Sequence, residues 1–338
     1  MPELPEVETI VRQLRPALEG RPIASLEILD PRWSGRLDPA ALSGLVRGRV
    51  IRRLWRRGKY LVWELDGEVH LLMHLRMTGT LLLDPPVDPL HIRVVLSLDG
   101  PRVVFVDPRR FGTGELVVGV GELERFFAAR LGVEPLEDEF TPQLLRAVAR
   151  NRRGPVKPFL LDQRNVAGVG NIYADEALFR ARIHPLRPAG ALTPKQYAGL
   201  HAGVIASLEA GIDARGASID DFRHPDGVRG SFQDRFLVHR REGLPCPVCG
   251  TPIRKLVVAG RGTYVCERCQ PRPRPRHKRA LQSGRMPTSG GDQLEQTAGL
   301  VGGTNLVVSA KELLVDDDLR EGHHSRLIDE LVPRARIV

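Results

Sequence analysis

The sequence predicts a multidomain α+β protein, and three observations carry that reading. From about residue 20 to 118, apolar and polar side chains alternate around short turn signals, as half-buried strands require. From about 121 to 213 the apolar spacing becomes helical. The chain's four cysteines then fall in two C-x2-C pairs, Cys246/Cys249 and Cys266/Cys269, sixteen residues apart.

Each element follows in order. Ile10, Leu14 and Leu18 predict a helix over Val7–Leu18, stopped by Gly20. The stretch KYLVWELDGEVHLLMHLRMTGTLLL alternates about Asp66-Gly67, and HIRVVLSLDGPRVVFVDP about Asp99-Gly100. Such hairpins in series predict a sandwich or a barrel, with β structure running to about residue 118. GELERFFAARLG predicts a helix, followed by the acidic loop VEPLEDEF. Thr141-Pro142 opens the next helix, and NIYADEALFRARI predicts another, ending before His184-Pro185. Thr193 and Gln196 form a capping box ahead of Tyr197, Leu200, Val204 and Leu208 on one face. A Gly-, Asp- and Arg-rich loop leads to the cysteine hairpin, and no internal repeat is present. Beyond residue 270 the Pro/Arg and Gly/Ser composition predicts a disordered basic tail, in which PRPRPRHKR carries five cationic residues.

Composition narrows the partner. The 338 residues are 42% apolar and 27% charged, room for more than one soluble core. No apolar run is long enough to span a membrane, and no leader pattern opens the chain, so a cytoplasmic location is expected. The net charge of +9 favours a polyanion. The cysteine pattern fits one tetrahedral zinc ion; four thiolates leave no open coordination position, which makes the ion structural. Two disulfides are the alternative, one that suits small secreted scaffolds.

Separated motifs then point to one family. PELPEVET at the start, GKYL at 58–61, HLRMTG at 74–79, DPRRFG at 107–112, GVGNIYADE at 168–176 and the cysteine hairpin occur in one order. Together they resemble the bacterial formamidopyrimidine-DNA glycosylases, over residues 2 to about 270. The resemblance implies an N-terminal helix and β-sandwich domain (2–135), a helix–two-turns–helix domain with a lesion loop (136–240) and a zinc-finger hairpin (241–270), ahead of the 271–338 tail. It implies a monomer that excises oxidised purines from damaged double-stranded DNA in the bacterial nucleoid, and cleaves the abasic strand by β- then δ-elimination. Catalytic roles fall on Pro2, Glu3, Lys59 and Arg261, with Glu6 in the lesion pocket. DNA contacts fall on Met77, His91, Arg109, Phe111, Lys157 and Asn171, and zinc on Cys246, Cys249, Cys266 and Cys269.

Amine chemistry supports the N-terminal roles. Removal of Met1 leaves Pro2 with an α-amino group of reference pKa near 8, against about 10.4 for lysine. Its secondary amine attacking a sugar C1′ gives an iminium that is cationic without a proton, and so an electron sink. Glu3 is the adjacent acid for the ring oxygen O4′. Outside this reading Pro2 and Glu3 are a frayed terminus, Lys59 an edge lysine, Met77 a core residue and Asn171 a helix cap. The family's usual Gly before the methionine is Arg76 here, and its usual Tyr before the finger, a phosphate contact, is His239. The competing readings are an endonuclease VIII-like glycosylase for oxidised pyrimidines and a non-catalytic zinc DNA-binding protein.

Overall fold

The first helix, α1 (Leu4–Leu18), begins before the apolar spacing predicts, because Pro5 lies in its first turn, where a missing N–H leaves no bond unmade. The computed structural model describes residues 2–219 and 223–273, so the basic tail predicted beyond 270 lies almost wholly outside the described residues. Eight strands follow α1: β1 (Ile23–Ile28), β2 (Ile51–Arg57), β3 (Tyr60–Leu65), β4 (Val69–His74), β5 (Thr80–Leu83), β6 (Ile92–Leu98), β7 (Arg102–Val106) and β8 (Thr113–Val118). They pair antiparallel in two sheets, ordered β1-β6-β7-β5 and β2-β3-β4-β8. The fold is therefore the sandwich and not the barrel. Leu65 faces Val69 across the Asp66-Gly67 turn, with Gly67 at φ +69°. Trp63, Leu71, Leu96 and Phe105 join Leu14 and Leu18 of α1 in one core.

The expectation of uninterrupted β structure to residue 118 fails at one place. A helix, α2 (Pro39–Val46), separates β1 from β2. Its start signal is explicit: Asp38 accepts the Ala41 N–H at 2.9 Å and Pro39 occupies the first turn.

Five helices follow: α3 (Val120–Ala128), α4 (Pro142–Val148), α5 (Val156–Leu161), α6 (Asn171–Arg180) and α7 (Pro194–Asp213). Thr141 caps α4 through the Leu144 N–H at 3.1 Å, and Thr193 with Gln196 closes the capping box of α7. Phe126 and Phe127 of α3 pack on Tyr60, Val62 and Leu72 of the second sheet. The remaining helices enclose a core of Leu145, Leu160, Tyr173, Leu178, Leu200 and Leu208, and Leu4 of α1 inserts into it. That insertion brings the chain's start to α6. The hairpin of β9 (Arg254–Val258) and β10 (Arg261–Val265) shares a small core with Phe179 of α6 and Val238.

Candidate active site

The glycine loop before α6 receives Glu3. Leu4 donates its N–H to Gly168 O at 3.0 Å. A Cβ on Gly170 would lie 2.3 Å from Glu3 Cδ, and one on Gly168, at φ +81°, 2.6 Å from Leu4 Cδ1. The two glycines thus exist for the approach of α1. With Asn171 as the first helical residue, α6 presents its N–H groups to the Glu3 carboxylate: Ile172 N donates at 2.9 Å and Tyr173 N at 3.4 Å. A helix amino terminus favours that negative charge. Pro2 and Glu3 are both buried, so the frayed-terminus alternative does not hold.

Glu6 lies directly beneath. It accepts from Glu3 N at 2.7 Å, Ala217 N at 2.7 Å and the Tyr173 hydroxyl at 2.7 Å. Burial, and then the Glu3 charge, push its carboxyl above the usual range. The Tyr173 ring stacks on Phe232 at 5.1 Å, which fixes the hydroxyl. Lys59, in the turn directly before β3, is also buried, and burial pulls its ammonium below the ordinary value while Glu3 and Glu6 oppose that shift and Arg261 reinforces it. The start of α6 holds Glu3 through Ile172 and, through Asn171, the carbonyl of Gly262 next to Arg261. Glu6 is bonded to Glu3 N, and Lys59 lies within reach of the charges of Glu3, Glu6 and Arg261. Lys59 is aimed by the preceding turn. Gly58, at φ +56°, gives its N–H to Glu134 Oε2 at 2.9 Å, and Arg56 and Arg57 both pair with the same carboxylate.

Two of the expected DNA contacts are placed differently. Lys157 is wholly buried, with Nζ 2.8 Å from Asp175 Oδ1, 3.1 Å from Gly262 O and 2.8 Å from Thr263 Oγ1. Its charge is paired with Asp175 and two of its hydrogens are accepted by the finger turn, so in this structure the Lys157 ammonium faces the protein and not solvent. Asn171 gives its Nδ2 to Gly262 O at 3.0 Å. His239 is buried as well, its Nδ1 2.9 Å from Asp175 Oδ2, and does not take the phosphate role of the tyrosine it replaces. Arg261 itself is exposed.

A second group lies on the β4–β5 and β7–β8 turns. The buried Asp107 carboxylate accepts Phe111 N at 2.8 Å and Gly112 N at 2.7 Å, and bonds the Thr78 hydroxyl beside Met77. One side chain thereby holds both turns together. Met77 is half-buried at a strand end, Phe111 is 49% exposed, and the Arg109 guanidinium lies 4.7 Å over its ring. Arg110 turns instead to Asp30 at 3.5 Å. His91 is exposed, and its carbonyl accepts Asp107 N at 3.1 Å, which places it beside this group. Sequence reasoning missed Asp107, Tyr173, Asp175 and Glu134. Asp107, Tyr173 and Asp175 stand inside quoted motifs and could have been found there.

The four cysteine sulfurs lie within 4.8 Å of one another, with Cys246–Cys269 at 3.9 Å and Cys249–Cys266 at 3.4 Å. Tetrahedral Zn–S bonds of about 2.3 Å require sulfur separations of about 3.8 Å, so the site fits one structural zinc ion and not two disulfides. Among the described residues no helix is long and apolar enough to cross a membrane.

Known proteins share this architecture. Residues 1–114 match the formamidopyrimidine-DNA glycosylase N-terminal domain, 131–223 its H2TH domain, and 243–272 the zinc finger found in FPG and IleRS. A formamidopyrimidine-DNA glycosylase of Symbiobacterium thermophilum is 47% identical over 81% of this chain and 90% of its own length. The MutM (Fpg) crystal structure from Thermus thermophilus superposes with a TM-score of 0.73 at 44% identity, covering 80% of this chain and 98% of that one. Lactococcus lactis Fpg in complex with abasic-site DNA gives 0.74 at 36% identity, covering 80% and 100%. These matches exclude the endonuclease VIII-like and non-catalytic readings. The chain belongs to the formamidopyrimidine-DNA glycosylase family and is a DNA glycosylase.

Proposed function

We propose that the protein removes oxidised purines, 8-oxoguanine and formamidopyrimidines, from duplex DNA as a monomer in the bacterial cytoplasm, and also cleaves the resulting abasic strand. The observation that supports this most directly is that the start of α6 holds both Glu3, ahead of α1 and next to Pro2, and the finger turn that follows Arg261, with the buried Lys59 within reach of their charges. With Met1 removed, the Pro2 ammonium passes one proton to Glu3, the freed nitrogen attacks C1′, and the base departs with the glycosidic electrons and the remaining N–H proton. Glu3 protonates O4′, the sugar ring opens, and the iminium forms. Loss of a C2′ proton expels the 3′ phosphate, a further deprotonation expels the 5′ phosphate, and water releases Pro2. Lys59, its ammonium weakened by burial, exchanges protons at the sugar, and the exposed Arg261 guanidinium holds a departing phosphate.

Reaching the base requires flipping it out, at about a few kcal/mol of unstacking. Met77, Arg109 and Phe111 fill the vacated stack from turns locked together by Asp107, with His91 on the adjoining phosphate. Borohydride reduction on a duplex carrying 8-oxoguanine opposite cytosine tests the mechanism. The expected product is one protein–DNA adduct crosslinked at Pro2; a crosslink at a lysine overturns the assignment.

A further inference from the structure

We infer that Asp175 is a positioning residue, which uses Lys157 and His239 as a buried bridge to seat the finger turn that carries Arg261. Asp175 on α6 is 1% exposed, Lys157 on α5 0% and His239, just ahead of the finger, 5%. None of the three faces solvent. The bridge joins one carboxylate to β10 by two routes.

The first route runs through Lys157, whose ammonium meets Asp175 Oδ1, Gly262 O and Thr263 Oγ1 at 2.8, 3.1 and 2.8 Å. A buried ammonium is stable only when its charge is paired and its hydrogens find acceptors, so the Asp175 charge and the two finger-turn oxygens must be in place together. Two of them belong to the residues directly after Arg261. Asn171 of α6 puts a second donor on the same Gly262 carbonyl at 3.0 Å. The second route runs through His239: Nδ1 lies 2.9 Å from Asp175 Oδ2, and the ring packs edge-on to Tyr264 of β10 at 5.1 Å and to Phe236 at 5.3 Å.

Zinc alone does not supply this placement. The cysteines lie outside β9 and β10, with Cys266 directly after β10, whereas the turn at Ala259 and Gly260 closes the other end of the hairpin. A two-stranded hairpin is marginal by itself, so each end needs its own anchor. The thiolates fix the open end, and the Asp175 bridge fixes the strand that begins at Arg261.

The consequence for strand cleavage rests on the lyase reading above, while the seating of the turn does not. The test uses the full-length zinc-loaded protein and two variants, Asp175→Asn and His239→Phe. Both are expected to keep one zinc per chain and unchanged amide exchange at 246–250, with faster hydrogen–deuterium exchange across 259–264. Strand cleavage should fall on the order of tenfold to a hundredfold, the cost of moving a reacting-site group by about 1 Å, while base release falls less. Should Asp175→Asn fail to fold, His239→Phe decides. Unchanged exchange across 259–264 with zinc retained overturns the inference. A wild-type protein that excises bases without cleaving strands overturns the lyase reading instead, and the exchange arm still decides this one.

Discussion

Glu134 holds the turn before Lys59 and Glu6 acts on Lys59 itself, and both are buried carboxylates, yet their surroundings differ in charge. Glu134 meets two guanidiniums, Arg56 and Arg57, and the Gly58 N–H. Glu6 meets only neutral donors, the Glu3 and Ala217 N–H groups and the Tyr173 hydroxyl, with the like charge of Glu3 nearby. The first is a compensated ion that fixes a turn. The second has no cation bonded to it and holds its proton to higher pH. One residue type thus supplies shape on one side of Lys59 and proton affinity on the other, and the difference lies in the neighbours.

The largest effect is expected where compensation is removed. Glu134→Ala leaves the Gly58 N–H without its acceptor and Arg57 without a carboxylate, while Arg56 keeps only the carboxylate of Glu8, at 3.2 Å. Arg56 and Glu134 are 7% and 4% exposed, so solvent screens the pair little. Removing one partner of a buried pair costs about 3–5 kcal/mol. Urea unfolding should show that loss, and catalysis should weaken because the turn before Lys59 is released. A loss below about 1 kcal/mol would place this cluster with ordinary surface pairs.

A smaller effect isolates the other side without changing any acid. Gly170→Ala builds a Cβ 2.3 Å from Glu3 Cδ and drives that carboxylate off the start of α6. Single-turnover base release should fall on the order of a hundredfold, with DNA affinity retained. Gly44→Ala, whose added Cβ meets nothing within 4 Å, is the matched control and should be neutral. Equal rates for the two variants would remove the α6 terminus from Glu3's placement.

These groups differ in how far the sequence revealed them. Hairpin turns, capping residues and the cysteine pattern are local chemistry, so the sandwich strands, α7 and the zinc site could be read directly. Burial is not local. GVGNIYADE suggests phosphate-binding N–H groups at a helix start, but the anion that occupies them is Glu3, more than 160 residues away in the chain. The family resemblance suggests a phosphate contact at Lys157, and only the fold shows Asp175 and the finger turn around it. Glu134 sits in an acidic stretch, VEPLEDEF, where nothing in the spacing separates it from its solvated neighbours. Long-range pairing of charges is the part that a linear reading cannot supply.

The smallest expected effect is a pH slope, and its sign follows from Glu6. Its carboxyl is raised above the ordinary 4.5, first by burial and then by the Glu3 charge, with its three hydrogen bonds opposing. In the folded protein Glu6 therefore keeps its proton at pH values where the unfolded chain has lost it. Below 4.5 both states are protonated and the folded state carries no penalty. From there up to the raised value the folded state binds more protons, so stability falls as pH rises. Within that window a rise of one in pH removes at most about 1.4 kcal/mol. Glu6→Gln cannot titrate and lacks that slope, whatever constant offset its altered hydrogen bonds introduce. The Tyr173 hydroxyl, pushed well above 10, stays protonated across the same window and does not blur the comparison. Urea unfolding of both proteins between about pH 4 and 8 should give curves that converge towards acid and separate towards neutrality. Parallel curves would mean that Glu6 holds its proton no higher than an ordinary carboxylate, and the contrast between the two glutamates would fail.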